Sequence, residues 1–532
     1  MNVNAKRDNS RIKEIEIMDC TLRDGEQTNG VSFLPHEKLM IARMLLHDIN
    51  VDRIEVASAR VSEGEKDAVA RICRYAKTIG KLDSVEVLGF VDNNKSVDWI
   101  AECGGHVINL LAKGSYKHCT QQLKVSPEEH LAHIKQTIDY ALSKGFTVNL
   151  YLEDWSSGMR DSRDYLFMMM DELVKLPIKR FLLPDTLGIL NPLQCVEYMR
   201  QMVRRYPNSH FDFHAHNDYD LAVSNSLAAV LSGAKGLHVT VNGLGERCGN
   251  APLASVQVIL KDMFEAKTNI KEDRLNDISR LVEGYSGIAV APNTPVVGDN
   301  VFTQVAGVHA DGDNKDKLYC NDLVPERFGR HREYALGKNS GKANIVQNLN
   351  ELGLELTPEQ TKAVTKRITE LGDRKELVTQ DDLPYIVSDV LKHGAPEDKV
   401  KLVSYMVSTS YGLKPIASVK VEIEGKEYED RSSGDGQYDA FVKALRNIYK
   451  VKLGKTFPKL DNYQVTIPPG GRTDALVQTV ITWREGDRIW RTRGLDADQT
   501  EAAIKATLKM INMYEADKSD EQAVSPRNLD ME

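Results

Sequence analysis

The sequence predicts a (β/α)8 TIM barrel, of class α/β, followed by a mainly helical linker subdomain and a C-terminal α+β domain. Short apolar runs alternate with amphipathic stretches from residue 14 to about 265. Eight strand-then-helix units over roughly 250 residues match the size of such a barrel. Polar clusters follow several of the strands, where barrel enzymes carry their chemistry. An open, doubly wound sheet is the alternative.

The eight strand candidates are short, apolar and separated by helical patterns. They are Glu14–Met18, Arg53–Ala57, Val85–Gly89, Val107–Leu111, Thr147–Leu152, Arg180–Leu183, His210–His214 and Leu237–Val241. The clearest helical patterns are Glu37–Leu46, Glu65–Thr78, Pro127–Ser143 and Pro192–Arg205. Ser126 and Asn191 each stand directly before a proline, which places a capping side chain ahead of the first helical position.

Polar residues gather directly after five of the predicted strands. Because the carboxyl ends of all strands in a barrel meet at one rim, these residues should lie together there. The clusters are Arg23 and Asp24 after strand 1, Glu153 and Asp154 after strand 5, Asp185 and Thr186 after strand 6, His214 and His216 at strand 7, and Asn242 to Asn250 after strand 8.

The barrel pattern covers only the first half of the chain. We assign residues 12–265 to the barrel, 266–410 to a linker and helical subdomain, 411–516 to the C-terminal domain and 517–532 to a tail. The C-terminal domain shows a weak internal duplication, in which strands, a Gly/Asp turn and a helix occur twice. Such a unit favours dimerisation or regulation, with plain structural packing as the alternative.

Composition indicates a soluble, cytoplasmic protein of several domains. Lys plus Arg is 69 and Asp plus Glu is 77, so the net charge of −8 argues against a nucleic-acid partner or a membrane surface. No apolar run approaches the roughly 18 to 20 residues of a membrane span, and the N-terminus lacks a signal-peptide pattern. The seven cysteines form an odd set with no C-x-x-C pair, so neither a disulfide framework nor a zinc knuckle is indicated.

His214 and His216 stand one residue apart where a strand ends and a polar loop begins. Side chains two apart in a strand point to the same face, so both imidazoles can bind one metal ion. Asp24, at the end of the first strand's loop, would complete a facial set of ligands if the two strand ends meet in one pocket. A surface pair or a hydrogen-bonded core pair is the alternative.

The run Gly243–Gly249 follows a strand and precedes a helix, which invites a dinucleotide-binding interpretation. Its spacing is G-x-G-x-x-x-G instead of the dinucleotide fingerprint, and the strand is the eighth in order. We therefore expect the glycines to let a tight loop pass near the metal and bring Glu246, Arg247 and Asn250 inward. His309 lies in another Gly/Asp-rich loop and is a candidate acid or base if that loop reaches a barrel mouth.

Three motifs, "TLRDGEQ", "HAHNDYD" and "NGLGERCGN", resemble the α-isopropylmalate, homocitrate and citramalate synthases of the DRE-TIM metallolyase group. Within that group the chain is most similar to bacterial (R)-citramalate synthases, through "VDRIEVASARVS", "YLEDWSSG", "LPDTLGIL" and "VFTQVAGVHADGD". The resemblance covers nearly the whole chain. It is highly specific for the family and less decisive for the substrate.

The resemblance implies an acyltransferase that performs a Claisen condensation of acetyl-CoA with an α-keto acid. It implies that Asp24, His214 and His216 bind a divalent ion of zinc, manganese or magnesium, with Asn250 as a further ligand or close neighbour. Arg23 would steady the developing oxyanion. Thr186 would bind the substrate carboxylate, and Glu153 would position the reacting groups or relay a proton.

The family places its assisting histidine and tyrosine after the barrel and supplies them across a dimer. His309 and Tyr319 match that pattern, and Asp311 could orient His309. The resemblance therefore implies an obligatory homodimer. It also makes the C-terminal domain an allosteric amino-acid-binding domain, with isoleucine as effector of a citramalate enzyme or leucine as effector of an isopropylmalate enzyme.

Leu88, Leu111 and Tyr151 match family positions that form a small apolar pocket around the methyl group of pyruvate. The predicted product is then (R)-citramalate, in isoleucine biosynthesis. Ordinary barrel-core packing is the alternative for these side chains. The alternatives for function are a 2-isopropylmalate synthase acting on 2-oxoisovalerate in leucine biosynthesis, a homocitrate synthase, a retro-aldol enzyme like hydroxymethylglutaryl-CoA lyase, and a non-catalytic amino-acid sensor.

Overall fold

The structure, a computed structural model, describes residues 14–305, 320–338, 340–352, 354–373, 399–466, 477–486 and 488–524, with the single positions 318, 378, 380, 383, 386, 387 and 390. These residues form two compact units, one running to Glu333 and the other from Tyr334 onwards together with Val305. In the described part of the chain, no helix combines the length and the apolar character that a membrane span requires.

The first unit contains a closed barrel of eight parallel strands in sequence order, in which β1 pairs with both β2 and β8. The strands are β1 Glu16–Asp19, β2 Arg53–Ser58, β3 Val85–Phe90, β4 Val107–Lys113, β5 Thr147–Glu153, β6 Arg180–Asp185, β7 Phe211–Ala215 and β8 Gly236–Val239. The predicted fold class is confirmed, and the predicted strands are displaced from the observed ones by only one or two residues at an end.

Helices cover the outside of the barrel. They are α1 Pro35–Arg43, α2 Glu63–Thr78, α3 Lys95–Glu102, α4 Pro127–Ser143, α5 Trp155–Asp161, α6 Arg163–Leu173, α7 Pro192–Arg205, α8 Ala222–Leu231 and α9 Leu253–Phe264. Helices α4 and α7 begin at their prolines, and Ser126 and Asn191 cap them as the sequence predicts. Helix α1 continues as a π-helix over Met44–Ile49, which accounts for the longer helix predicted there.

The interior of the barrel contains many polar side chains beside a small apolar cluster, while the outward faces of the strands form the main apolar core with the helices. Six inward-facing polar side chains are at most 1% exposed: Glu55, Glu86, Asn109, Asn149, Asp212 and His238. They alternate with apolar residues along their strands, because side chains two apart share a face. The guanidinium of Arg53 pairs with Glu86 at 3.2 Å and with Asp212 at 2.5 Å. Buried charges inside the barrel therefore have partners, as burial requires.

Residues 266–300 differ from the linker predicted there. They contain a tenth helix, α10 Leu275–Ser286, whose Leu275, Ile278 and Val282 are buried in the barrel's core. The glycines and prolines after this helix favoured a linker assignment over the three apolar side chains at helical spacing. The first unit therefore extends beyond the predicted end of the barrel at residue 265.

The second unit holds two further hydrophobic cores. The helices Lys342–Glu351 and Pro358–Asp373 contribute Ile345, Leu349, Val364 and Ile368 to the smaller one. The larger core lies in the C-terminal region, which contains two antiparallel three-stranded sheets.

The C-terminal region repeats one arrangement, three strands followed by a helix. The first copy is Val400–Ser408, Ile416–Ile423, Lys426–Ser433 and the helix Gln437–Asn447; the second is Lys459–Thr466, Val477–Glu485, Arg488–Asp496 and the helix Gln499–Val524. This repeat agrees with the duplication seen in the sequence. The first strand of the C-terminal region, Val400–Ser408, begins before the predicted domain start at 411. The prediction places this alternating stretch in the helical subdomain and is therefore wrong about the boundary.

Strand β1 ends in a buried carboxylate with an incomplete set of partners. Asp19 is 1% exposed, and one carboxylate oxygen accepts the Thr21 backbone N–H at 2.9 Å while the other has no hydrogen-bond partner. Burial raises the pKa of this carboxyl from 3.8 to about 7. The folded protein thus holds a proton that the unfolded chain loses near pH 4, so Asp19 lowers stability progressively as the pH rises from about 4 to about 7, and the cost is constant above that.

We expect Asp19→Asn to remove this pH-dependent cost, because an amide does not ionise. The gain in stability of the variant over the wild type should grow by about 2 kcal/mol or more between pH 5 and pH 8. Chemical denaturation at both pH values measures this difference. An exposed replacement, Asp161→Asn, is the control and should show no such growth; an equal pH dependence in D19N and wild type would contradict the prediction.

Candidate active site

The loop after β1 carries Arg23 and Asp24 and is tightly held. The Cys20 carbonyl accepts backbone N–H groups from Arg23, Asp24 and Gly25. Lys38 lies below the loop with no exposed surface, where its ammonium donates to the Leu22 carbonyl at 3.0 Å. The same ammonium pairs with two carboxylates, those of Glu26 and Glu65, each at 2.6 Å. The loop therefore presents Arg23 and Asp24 from a fixed backbone.

Asp24 meets His214 and His216 at the carboxyl-terminal rim of the barrel. Its Oδ2 lies 3.3 Å from His214 Nε2 and 3.9 Å from His216 Nε2, and the two Nε2 atoms are 3.4 Å apart. Ligand atoms bound at about 2.1 Å around one ion lie about 3.0 to 3.4 Å from each other. Two of the three separations fall in this range and the third is about 0.5 Å longer, so the three side chains, each less than 10% exposed, could hold a single cation after a small adjustment.

The charges of these groups also suit metal binding. Burial, helped by His214, lowers the pKa of His216 to about 4, and burial lowers the pKa of His214 as well. Burial would raise the pKa of Asp24, but the Arg23 guanidinium together with His214 and His216 outweighs it and holds that pKa well below its usual value. Two neutral imidazoles and an ionised carboxylate are the protonation states that a metal requires of such ligands.

Asn250 contacts the cluster from the loop after β8. Its Nδ2 donates to Asp24 Oδ1 at 3.0 Å and to the Leu244 carbonyl at 3.1 Å, while its buried Oδ1 has no partner. Gly245 allows this approach, because a Cβ at that position would lie 2.2 Å from Asn250 Nδ2. An unpaired buried amide oxygen beside a carboxylate and two imidazoles is a site that fits a divalent cation.

Arg23 is clamped by three partners. Its Nε donates to Glu55 at 2.6 Å, its Nη1 to Asp24 at 2.8 Å and its Nη2 to the Tyr151 hydroxyl at 3.4 Å. Burial lowers the pKa of Arg23, but Glu55 and Asp24 raise it further, so the guanidinium remains charged. Because one guanidinium serves two carboxylates, the site keeps a negative charge that a cation could balance.

Leu88, Leu111 and Tyr151 belong to one small apolar cluster inside the barrel, which agrees with the predicted pocket and equally with ordinary core packing. Its other members are Met18, Cys20, Leu182 and Phe90. Tyr151 joins this cluster to the polar site, since its hydroxyl contacts Arg23 and its ring lies edge-on to His214 with 6.3 Å between centroids. The structure therefore places an apolar cluster directly beside the charged groups, and its role as a substrate pocket stays a prediction.

Glu153 and Thr186 occupy the same rim, each with a partner of its own. Glu153 forms an ion pair with Lys113 at the end of β4. The Thr186 hydroxyl accepts the Asp154 backbone N–H at 2.9 Å, and the Thr186 carbonyl accepts from Arg247 at 2.8 Å. Their contacts with substrate stay predictions.

The expected inward position of the loop after β8 holds only for Asn250. Glu246 is exposed and Arg247 is one-third exposed, with the guanidinium donating to Asp218 at 2.7 Å. Arg247 therefore joins the loops after β6, β7 and β8 instead of facing Asp24. His309, Asp311 and Tyr319 lie outside the described residues, so their roles stay predictions.

Three residues near the site were missed in the sequence: Glu55, Lys38 and His238. Each is fully or almost fully buried, and each contacts the Arg23 loop or Tyr151. The signal for Glu55 and His238 was a charged or polar residue at an inward position of an apolar strand. For Lys38 the signal was weaker, a lysine on the buried side of α1.

Comparisons with known proteins cover nearly the whole chain. Residues 14–282 match the family described as HMGL-like, 296–376 match a homocitrate synthase post-HMGL domain, and 377–515 match the LeuA allosteric (dimerisation) domain. The (R)-citramalate synthase CimA of Methanocaldococcus jannaschii is 34% identical over 502 residues, which cover 94% of this chain and 99% of the relative. The 2-isopropylmalate synthase of the same organism is 36% identical over 504 residues, 94% of each chain.

Proposed function

Because this chain belongs to the HMGL-like family that includes the (R)-citramalate and 2-isopropylmalate synthases, we propose that it condenses acetyl-CoA with an α-keto acid. The preferred keto acid is pyruvate, which gives (R)-citramalate. Formation of 2-isopropylmalate from 2-oxoisovalerate is the alternative, since relatives of both names match with similar identity.

The condensation has three steps. A base takes a proton from the thioester methyl, the resulting carbanion forms a C–C bond to the keto carbon, and the new oxygen anion takes up a proton. Water then hydrolyses the thioester and releases CoA. The charge that develops on the keto oxygen has to be met by groups already in place, because a buried site has little solvent to reorganise.

Arg23, Asp24, His214 and His216 would supply that environment. A divalent cation held by Asp24 and the two histidines, with Asn250 close by, would polarise the keto group and bind the substrate carboxylate. Arg23 would face the developing oxygen anion, since Glu55 and Asp24 fix the guanidinium from two sides. His309, Asp311 and Tyr319 would act in proton transfer, following the family pattern.

The single observation that carries the choice of pyruvate is the small apolar cluster beside Arg23. Leu88 is 7% and Tyr151 is 3% exposed, and Leu111 packs against them. Two leucines and an aromatic ring leave little room next to the charged groups, which suits a methyl group better than an isopropyl group. Phe90 closes the same cluster.

We expect at least a tenfold preference for pyruvate over 2-oxoisovalerate in kcat/KM, because a larger substrate has to clash with this wall. Chromatographic measurement of CoA and hydroxy-acid product, with acetyl-CoA and a panel of keto acids, tests this. Leu111→Ala should shift the preference towards the larger acid, whereas Leu110→Ala, on the outward face of β4, should not. A preference of the wild type for 2-oxoisovalerate would overturn the pyruvate assignment.

The proposed enzyme is a homodimer regulated by an amino acid. The match of residues 377–515 to a LeuA allosteric (dimerisation) domain supports both properties, with isoleucine as the effector if pyruvate is the substrate. A second support is the rim around the site, where large apolar side chains on five strand-to-helix loops are exposed to solvent. They are Leu34, Val61, Tyr116, Leu187 and Tyr219. A subunit that covers the rim would bury them and exclude water from the reaction.

A further inference from the structure

The Tyr151 hydroxyl lies between the candidate pocket and a buried imidazole. It is 3.1 Å from His238 Nδ1, 3.3 Å from Glu55 Oε2 and 3.4 Å from Arg23 Nη2. A phenol has one hydrogen to donate, so it can serve either His238 or Glu55. Which of the two receives it decides how firmly Glu55 can hold Arg23.

Asp212 selects the tautomer of the His238 imidazole that accepts this hydrogen. His238 Nε2 lies 3.2 Å from Asp212 Oδ2, and a carboxylate can only accept, so the Nε2 atom carries the ring hydrogen. In the neutral ring, Nδ1 is then an acceptor. Asp212 is itself held by Arg53 at 2.5 Å and by His210 Nε2 at 2.9 Å. The carboxylate that orients His238 is therefore fixed at the amino-terminal side of the barrel.

The Tyr151 hydroxyl thus donates to His238, which leaves Glu55 to its other donors. Arg23 Nε binds Glu55 Oε2 at 2.6 Å, and Asn109 binds the other oxygen at 2.8 Å. Without an acceptor at His238, the phenol would turn its hydrogen to Glu55 Oε2 and compete with Arg23 for it. The side chain of Tyr151 would also lose its hydrogen bond to His238, which helps to fix the orientation of its ring beside Arg23.

We propose that His238, oriented by Asp212, is a positioning residue of the reaction, which draws the Tyr151 hydroxyl away from Glu55 and so keeps Arg23 and the pocket wall in place. This inference rests on the proposed condensation and adds a residue outside the proposed ligand set. The ring of His238 also lies edge-on to the ring of His214, with 5.4 Å between centroids, so a cycle of substitutions has to separate its effect through Tyr151 from that contact.

Two replacements of His238 separate its two contacts. Asparagine places its amide oxygen near the position of Nδ1, so His238→Asn keeps an acceptor for Tyr151 and loses the contact with Asp212. Glutamine reaches the position of Nε2, so His238→Gln keeps a donor for Asp212 and loses the acceptor. His210→Gln is the matched control, because His210 binds Asp212 but not Tyr151.

In the holoenzyme with acetyl-CoA and pyruvate, we expect H238Q to lower kcat about 10- to 100-fold with little change in the KM for pyruvate. H238N and H210Q should stay within about fivefold of the wild type. In a Tyr151→Phe background, H238Q should cost no more than a further twofold or so, since the hydroxyl through which it acts is gone. Melting temperatures recorded for all variants separate these effects from loss of folded protein.

The inference is overturned if H238Q keeps wild-type kcat, if its loss multiplies with that of Y151F, or if kcat merely follows melting temperature across the series. These outcomes differ from failure of the proposed function itself, in which the wild-type protein would release no CoA with any keto acid. The substitutions are compared with a wild type whose activity has been measured first, so failure of the positioning role and failure of the proposed function give different results.

Discussion

Asp24→Asn is expected to lower kcat/KM by about a thousandfold or more, the largest effect of any single replacement in this chain. Asparagine keeps the size of the side chain but removes the charge that faces His214 and His216 at 3.3 and 3.9 Å. A divalent ion would then be held by neutral groups only, whereas the wild type offers two neutral imidazoles and an anionic carboxylate. Metal content after dialysis, measured by mass spectrometry alongside turnover, tests the cause.

The control for this replacement is Asp161→Asn, a carboxylate on helix α5 that pairs with Arg160 at the surface. It removes the same charge from the chain and should leave both activity and metal content unchanged. Removal of metal by a chelator should reproduce the D24N result in the wild type, and re-addition should reverse it only there. Full turnover of D24N with a wild-type metal content would contradict the ligand assignment.

Arg23→Lys is expected to lower kcat about 100- to 1000-fold, although the positive charge is kept. Arg23 uses three nitrogen atoms for three partners, and a lysine ammonium on a flexible chain cannot face Glu55, Asp24 and Tyr151 in one geometry. Glu55, which has no exposed surface, would lose its shortest contact. We therefore expect a fall in thermal stability together with the loss of turnover.

Arg60→Lys is the matched control for this change, since Arg60 lies on the loop after β2 and binds Asp92 in a partly exposed pair. Its activity should be that of the wild type, because surface ion pairs contribute little. Steady-state kinetics with separate values of kcat and KM decide the case. If R23K turns over within fivefold of the wild type, Arg23 does not stabilise the developing anion.

The barrel could be predicted because its pattern is local. Each strand is a short apolar run followed by a polar loop, and each helix has its own start signal, as at Ser126 and Asn191. Helix α10 was missed because the glycines and prolines that follow it resemble a linker, and only packing against the barrel reveals its apolar face. The strand Val400–Ser408 was missed because the helical pattern before it was extended too far.

The site could be predicted in part for the same reason. His214 and His216 show their shared face in the local sequence, but the approach of Asp24 needs the closed barrel to bring residues 190 or so positions apart together. The partners of Arg23 depend on this closure too, since Glu55 and Tyr151 reach it from other strands. No local pattern specifies which inward-facing polar residues meet across the barrel.

Charged side chains inside the barrel connect strands that are far apart in the sequence. Arg53 on β2 has its shortest contact with Asp212 on β7, and His238 on β8 reaches Tyr151 on β5. A fragment of the first four strands would keep Arg53 with Glu86 but lose Asp212, and a fragment of the last four would leave the Asp212 carboxylate without its guanidinium. Half-barrels of this chain should therefore be unable to persist alone, and during synthesis the nascent barrel should gain its stability only when the eighth strand emerges.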